Sequence, residues 1–443
     1  MNADPAGRLP MRAALIVFLL ALAVRVVFVH FVFKNQFYFS DERTYFLQAD
    51  EVASGRWLGT NTITPPGPLY FIAAGRALGL GIAGLRIVQA VLGAAGAGLT
   101  VLLGAVVLGP VVGTLAGLGV AFYPYLAYLS GVFYTQNQVI PLLLFLLFAL
   151  YRRQAGAGRG WVVGGGAALG LGGIFMVPLF LVAPFVAVWH GLRVRPLRRG
   201  FLDVVVLTAV TLLMLVPVTL RNYALDHRFV FVSSMGASSF YGSNNPRIDA
   251  RSRDADRWIE INKVEVKEEQ ERMGWTDAQL DSALTARAWS YIRHQPGRAL
   301  RMYLYRLENM WAFKPHPWTS NAHTGSRQFL VAALTSGPVI VLALVGMLVF
   351  LRFFGRLFPL YAVPAVLTLG FSLFNTTVRY RLTFEPLLLI FAAGLVVWVF
   401  ARGRLGGVLN PAPVRAPSEA PAPAGGVPPP FRPYERKPNE PQG

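Results

Sequence analysis

The chain has no cysteine. Disulfides, thiolate metal sites and cysteine nucleophiles are therefore excluded. Charge is scarce as well. Asp, Glu, Lys and Arg make up 14% of the residues, against about 25% in an average soluble domain. Acids are the rarer sign, with 22 Asp and Glu against 41 Lys and Arg. A protein of 443 residues with so few charges cannot wet its own surface. No Walker loop, dinucleotide fingerprint or His-x-x-x-His spacing occurs. Nucleotide-dependent chemistry thus lacks its usual signatures. His30, His190 and His294 are scattered, and His316 and His323 share one loop, where a zinc site is the weaker reading.

What the chain has in abundance is apolar sequence. Hydrophobic residues make up 54%, in runs long enough to cross a bilayer, for which roughly twenty residues suffice. The expected fold is an all-α polytopic membrane protein, a bundle of about ten transmembrane helices. Of the 41 Lys and Arg, nine fall in three short arginine-rich connections that carry no acid, the positive-inside pattern rather than a nucleic-acid footprint.

Arg8 and Arg12 precede an apolar run at 13–33. That run is too long for a signal core and has no small-x-small cleavage site after it, so it is expected as a retained first span. A polar outer loop follows at 34–64, then a proline-interrupted interfacial piece at 65–80. Spans are expected at 85–108, 111–130, 139–151, twice within 161–190 with a turn near Phe175 to Pro178, and at 201–220. Further spans are expected at 329–351, 357–374 and 384–401. Three basic connections, "RRQAGAGRG", "LRVRPLRRG" and "RFFGR", would face the cytoplasm together with both termini. The chain then divides into a first membrane region at 1–220, an outer segment at 221–327, a second membrane region at 328–401 and a tail at 402–443. The outer segment should be largely helical, with Thr276 as an N-cap and Pro296 as a stop. The tail, "APSEAPAPAGGVPPP" and beyond, has the composition of a disordered spacer.

One polar stretch stands out. "FYFSDERTYF" places Asp41 and Glu42 just past the first span. They could serve only as acids in the first turn of a helix capped by Ser40, a place worth roughly 0.3–1 kcal/mol. However, Asp41, Tyr45 and Gln48 share a face of that helix, and Arg56, Trp57 and "TPPGPLYF" follow it. An aromatic, a carboxylate and a stiffened loop at headgroup height also suit an amphiphilic substrate. The residues alone leave both readings open. Arg379 and Arg381 in "NTTVRYR" sit at an outer span end, against the positive-inside trend. They could snorkel or bind phosphate. Asn244 and Asn245 in "YGSNNP" could contact a sugar or simply form a turn. Arg25 lies within the first span and reads as structural.

Taken in order, "SDERTYFLQADEVASGRW…PPGPLYF", "RNYALDHRFVFVSSMGASSFYGSNNP", "AWSYIRHQPGRALRMYLYRLENMW" and "NTTVRYRLTFEPLLLIFAAG" resemble the GT-C membrane glycosyltransferases. The likeness is to the bacterial dolichyl-phosphate-mannose–protein mannosyltransferase and aminoarabinose transferase types. It runs from Arg12 to about Ala401. The resemblance implies transfer of a sugar from a polyprenyl-phosphate-linked donor to a lipid, glycan or protein acceptor at the outer face of the plasma membrane. It implies Asp41 as catalytic base with Glu42 beside it. Substrate binding would fall to Tyr45, Arg379, Tyr380, Arg381, Arg221, Asn244 and Asn245. No metal ligand is assigned, and a divalent cation stays open. Two stretches depart from the family pattern. "FYTQNQV", with Gln136, Asn137 and Gln138, has no carboxylate where relatives often carry an acid, and "GGIFMVP" has Met176 and Val177 where they often carry a base. The alternative is another protein of lipid-linked glycans, such as a polymerase, ligase or flippase. A flippase would want internal charges and a repeat, and neither is evident.

Overall fold

The computed structural model describes residues 9–33, 35–56, 58–59, 61–249, 265–313, 326–374 and 376–401. Trp57, the His316/His323 loop and the Pro-rich tail lie outside the described residues. Among the described residues there is no strand. The helices in chain order are α1 (Met11–Val32), α2 (Ser40–Ala53), α3 (Pro66–Ala77), α4 (Ile82–Leu108), α5 (Pro110–Phe122), α6 (Pro124–Tyr128) and α7 (Gln136–Gln154). They continue with α8 (Gly160–Phe175), α9 (Ala183–Arg193), α10 (Leu197–Asp226) and α11 (Met235–Ser243). Then come α12 (Val266–Met273), α13 (Asp277–His294), α14 (Pro296–Trp311), α15 (Ser326–Val349), α16 (Phe354–Phe371), α17 (Val378–Arg381) and α18 (Glu385–Phe400). A 3-10 turn at Val177–Val182 joins α8 to α9.

The apolar runs become the helices of a bundle. Met11–Val32, Ile82–Leu108, Leu197–Asp226 and the run Ala333–Phe371 are each long and apolar enough to cross a membrane. Pro110–Phe122, Gly160–Phe175, Val177–Arg193 and Glu385–Phe400 are shorter apolar pieces. Prolines open helices at Pro110, Pro124 and Pro296, where a missing N–H costs nothing. Pro296 therefore starts α14 as well as following α13. Thr276 caps α13, with its side chain accepting the Gln279 N–H and Gln279 reaching back.

α4 is central and packs on α1, α5 and α7, while α18 closes against α5 and α15. Membrane helices gain little by hiding apolar surface from lipid, so close backbone approach holds them together. Gly113 shows this on α5. A Cβ there would stand 2.2 Å from the Val101 carbonyl oxygen and 2.5 Å from the Ala105 nitrogen, both backbone atoms that cannot move aside. Gly113→Ala is therefore expected to push α5 off α4 and to cost about 1–3 kcal/mol. A thermal melt in detergent checks this, and an unchanged midpoint would mean that the contact is looser than described.

Arg25 caps a helix from inside the bundle. Its Nη2 donates to the Val120 carbonyl at 3.1 Å and its Nη1 to those of Ala121 and Ala21 at 3.3 and 3.2 Å. Val120 would ordinarily bond the N–H four residues on, but that residue is Pro124, which has none.

The three arginine-rich connections meet at one end. Arg153 and Arg159 both bind the buried Asp203 of α10, at 2.6 and 2.9 Å. Arg356 donates to the Val106 carbonyl at 2.9 Å, and its own carbonyl accepts from Tyr151 at 2.6 Å. The opposite end of the bundle carries the 34–64 loop, the helices from α11 to α14, and α17.

Candidate active site

Glu42 sets the start of α2. Its Oε2 accepts the backbone N–H of Tyr38 at 2.6 Å and of Phe39 at 3.1 Å, and its Oε1 accepts that of Phe133 at 2.9 Å. The N-cap position falls on Phe39, with Ser40 as the first helical residue. Glu42 thus closes the end of its own helix and rivets it to the connection before α7. It is fully buried. The resemblance places Glu42 beside Asp41, either supporting it or as a metal or substrate ligand, and here three N–H groups occupy its two oxygens. Its geometry is that of a positioning residue.

Arg86 of α4 supports the same joint. Its Nε donates to the Gly131 carbonyl at 2.7 Å and its Nη2 to that of Gln36 at 2.8 Å. Its guanidinium lies 5.2–5.7 Å from the ring centres of Phe33, Tyr38 and Phe133, within cation–π range. Gly131 must be small: a Cβ there would stand 2.0 Å from the Phe33 ring. Phe46 packs edge-on to Phe133 at 4.8 Å, and Phe39 lies 5.1 Å from Tyr134. The start of α2 therefore has little freedom to move.

Asp41 is one residue earlier and points another way. Its Oδ2 accepts from Arg379 Nη1 at 3.2 Å, across 338 residues of sequence. Arg379 belongs to the single turn α17. Its Nη2 donates to the Tyr380 hydroxyl at 3.1 Å. Its guanidinium lies 4.2 Å from the ring centre of Tyr134 and 5.0 Å from that of Tyr380. Tyr380 in turn stacks on Phe371 at 4.6 Å, at the end of α16. The Arg379 Nε is buried and has no hydrogen-bond partner. Burial works against the charge on Arg379, but its neighbours, Asp41 among them, hold the guanidinium above its ordinary pKa.

Tyr45, one turn along α2 from Asp41, completes the face. Burial, then the charge of Asp41, push its hydroxyl above the usual tyrosine range, with Arg379 pulling the other way. Tyr45 is thus a neutral donor rather than a base. Tyr134 is pushed up for the same first reason, burial.

The other residues expected at the site are in use elsewhere. Arg381 is fully buried. Its Nε binds Glu385 Oε1 at 2.8 Å, and its Nη1 donates to the carbonyls of Met310 and Ala312 at 3.0 and 2.9 Å. Arg381 therefore anchors the end of α14, while its Nη2 is buried with no hydrogen-bond partner. Arg221 donates to the carbonyls of Leu58 and Asn61 at 2.6 and 2.8 Å and to Asn222 Oδ1 at 2.8 Å. It clamps the returning arm of the first loop onto α10. Asn244 spends its amide on the carbonyls of Phe240 and Leu373, both at 2.9 Å, and accepts from Arg306 Nη2 at 3.0 Å. Asn245 donates to the Tyr241 carbonyl at 2.8 Å and accepts the Arg247 N–H at 2.9 Å. Both asparagines are buried. They form a turn, held to α16 by Arg306, whose pKa burial lowers to about 10.

Tyr134, Arg86 and Arg306 are absent from the residues that the sequence marks out. Tyr134 had a signal: it stands two residues before Gln136, in the polar stretch at a span end. A cavity of about 600 Å³ lies between α1 and the start of α4, lined by His30, Phe33, Asn35 and Arg86 among others. Its lining includes neither Asp41 nor Arg379. Among the described residues, no group of three or more His, Asp or Glu side chains could hold a metal ion.

No protein-family model matches the chain, and no curated protein matches it in sequence. It is similar to solved structures. The Archaeoglobus fulgidus oligosaccharyltransferase AglB, in complex with an inhibitory peptide and a dolichol-phosphate, superposes with a TM-score of 0.54 at 15% identity, over 91% of this chain and 52% of that one. Its apo form gives 0.55 at 14% identity, over 90% and 51%. ArnT from Cupriavidus metallidurans bound to undecaprenyl phosphate gives 0.43 at 16% identity, over 87% and 77%. The chain spans about half the length of the archaeal protein. At such identities the likeness is one of architecture: the chain shares the helical fold of about half of the archaeal oligosaccharyltransferase.

Proposed function

We propose that the chain is a membrane glycosyltransferase. It moves a sugar from a polyprenyl-phosphate-linked donor to an acceptor hydroxyl at the end of the bundle that carries Asp41, which we assign to the outer face. The observation that carries this reading is the contact between Asp41 and Arg379. A carboxylate and a guanidinium from opposite ends of the sequence meet between aromatic rings, at the mouth of a membrane bundle. The solved structure of a similar fold with a dolichol-phosphate bound supports a lipid-phosphate donor.

The chemistry follows from the two groups. Asp41 takes the proton of the acceptor hydroxyl as that oxygen attacks the anomeric carbon. A new carbon–oxygen bond forms, and the bond from the anomeric carbon to the phosphate oxygen breaks. The electron pair leaves on the phosphate. Arg379 holds that phosphate with charge already in place, so little reorganisation is needed when the bond breaks. Phosphate leaves readily, and no second acid is required. Tyr45 and Tyr380 offer neutral hydroxyls beside the charged pair, suited to sugar hydroxyls.

Donor binding tests the reading. Arg379→Gln should weaken binding of a polyprenyl-phosphate sugar at least about tenfold, as loss of a charged hydrogen-bonding partner does. Arg379→Lys should recover only part of this, since lysine supplies charge without the fork. Titration in nanodiscs reads both. Wild-type affinity in both variants would remove the phosphate role.

A further inference from the structure

Arg379 has three kinds of neighbour, and they differ in how firmly they hold. The rings of Tyr134 and Tyr380 lie at 4.2 and 5.0 Å and fix its guanidinium. The Tyr380 hydroxyl takes one N–H, and Tyr380 is itself stacked on Phe371. Asp41 is the third, and its hold is the weakest. Its side chain is 41% exposed, and its contact with Arg379 is one hydrogen bond of 3.2 Å. Meanwhile the Nε proton of Arg379 is buried and unmet. The guanidinium is fixed and only partly satisfied, and its one anionic partner among the described residues holds it by a single bond.

The backbone of Asp41, by contrast, is pinned. Glu42 next to it holds three backbone N–H groups. Asp41 can therefore leave Arg379 by rotating its own side chain, with no motion of α2.

We propose that Asp41 occupies the phosphate seat of the empty site, and that a lipid monophosphate binds by displacing its carboxylate from Arg379. This rests on the assignment of Arg379 to the donor phosphate and adds an order of events to it. In the empty site the Asp41 carboxylate is held against Arg379 Nη1 and does not face an acceptor. The phosphate offers more charge and more oxygens than the carboxylate to the same guanidinium, at the Nη1 position that Asp41 holds. Asp41 then turns towards the acceptor side with its charge uncovered. The base is released only when a donor is present, so the acceptor alone does not activate the site.

The proposal predicts an unusual sign. Removing the charge of the residue assigned as base should improve binding of the phosphate lipid. The probe is a polyprenyl monophosphate without sugar, titrated against the full chain in nanodiscs. Asp41→Asn should bind it about two- to fivefold tighter than wild type, the range of a partly exposed ion pair removed from competition. Asp41→Ser, which also suits a first helical turn, should do the same and serves if the Asn variant fails to fold. Arg379→Gln should bind at least about tenfold more weakly. In the Asp41→Asn, Arg379→Gln double variant the tightening should vanish, because the two effects pass through one guanidinium. If Asp41→Asn and Asp41→Ser bind no tighter while Arg379→Gln weakens binding, the competition is wrong and the phosphate seat stands. If Arg379→Gln binds like wild type, the seat itself is wrong, and the proposal falls with it.

Discussion

Asp41→Asn is expected to lower sugar transfer by about a hundred- to ten-thousandfold, the range for a lost general base. Asparagine keeps the shape of aspartate, and it still suits the first turn of α2 beside Glu42. It cannot take the acceptor's proton. Arg379 stays between Tyr134 and Tyr380, because those ring contacts do not need Asp41. Folded yield and melting temperature should therefore stay near wild type while turnover collapses. If Asp41 served only the helix, the reverse would hold: a small loss of stability, about 0.3–1 kcal/mol for a first-turn acid, with turnover retained. Transfer measured beside a thermal melt separates the two.

Glu42→Gln is expected to give a large loss of the opposite kind. The carboxylate is fully buried and accepts from Tyr38, Phe39 and Phe133. Glutamine has one acceptor oxygen, and its NH₂ would face an N–H already pointing at it. At least one buried donor is left unmet and a charge-assisted bond is lost, together worth about 2–4 kcal/mol. Arg86, which binds the Gly131 and Gln36 carbonyls at the same joint, loses a nearby opposite charge in the same step. Turnover should fall as well, because the backbone of Asp41 rides on this joint. Its defect should differ in pattern from that of Asp41→Asn: a lower melting temperature, with residual activity that recovers on cooling. A Glu42→Gln protein that melts like wild type but cannot turn over would return Glu42 to the catalytic role that the sequence suggests.

Much of the bundle is legible in the sequence because the membrane sets lengths and local chemistry sets ends. The first span, expected at 13–33, is Met11–Val32, and the span expected at 85–108 is Ile82–Leu108. The turn expected near Phe175 to Pro178 is the end of α8 followed by the 3-10 turn. Thr276 caps α13 through contacts within its own turn. Each of these depends on neighbours in sequence.

The site depends on neighbours in space, and there the sequence divides roles poorly. Asp41 and Glu42 are adjacent and chemically alike, yet one faces Arg379 and the other the backbone of two loops. Arg379 and Arg381 lie two apart on one turn, so their side chains leave in different directions and meet different partners. One partner was within reach of sequence reasoning. Glu385 stands four residues after Arg381 at the start of an apolar run, where an isolated acid calls for a partner on its own helical face. Asn244 and Asn245 read equally well as ligands or turn formers, and only their bonds to backbone carbonyls decide for the turn. Tyr134 stands in a polar stretch at a span end, but its place over Arg379 is set by packing between distant segments.

The central claim is that Asp41 and Arg379 form one site for a lipid-linked phosphate. A structure of the protein in nanodiscs with a polyprenyl monophosphate bound tests it most directly. The phosphate should sit on Arg379 at about 2.7–2.9 Å, the distance of a charge-assisted hydrogen bond. Asp41 should have turned away from the guanidinium and the prenyl chain should run into lipid between helices. A phosphate seated elsewhere, with the Asp41–Arg379 pair intact at its present 3.2 Å, would contradict it.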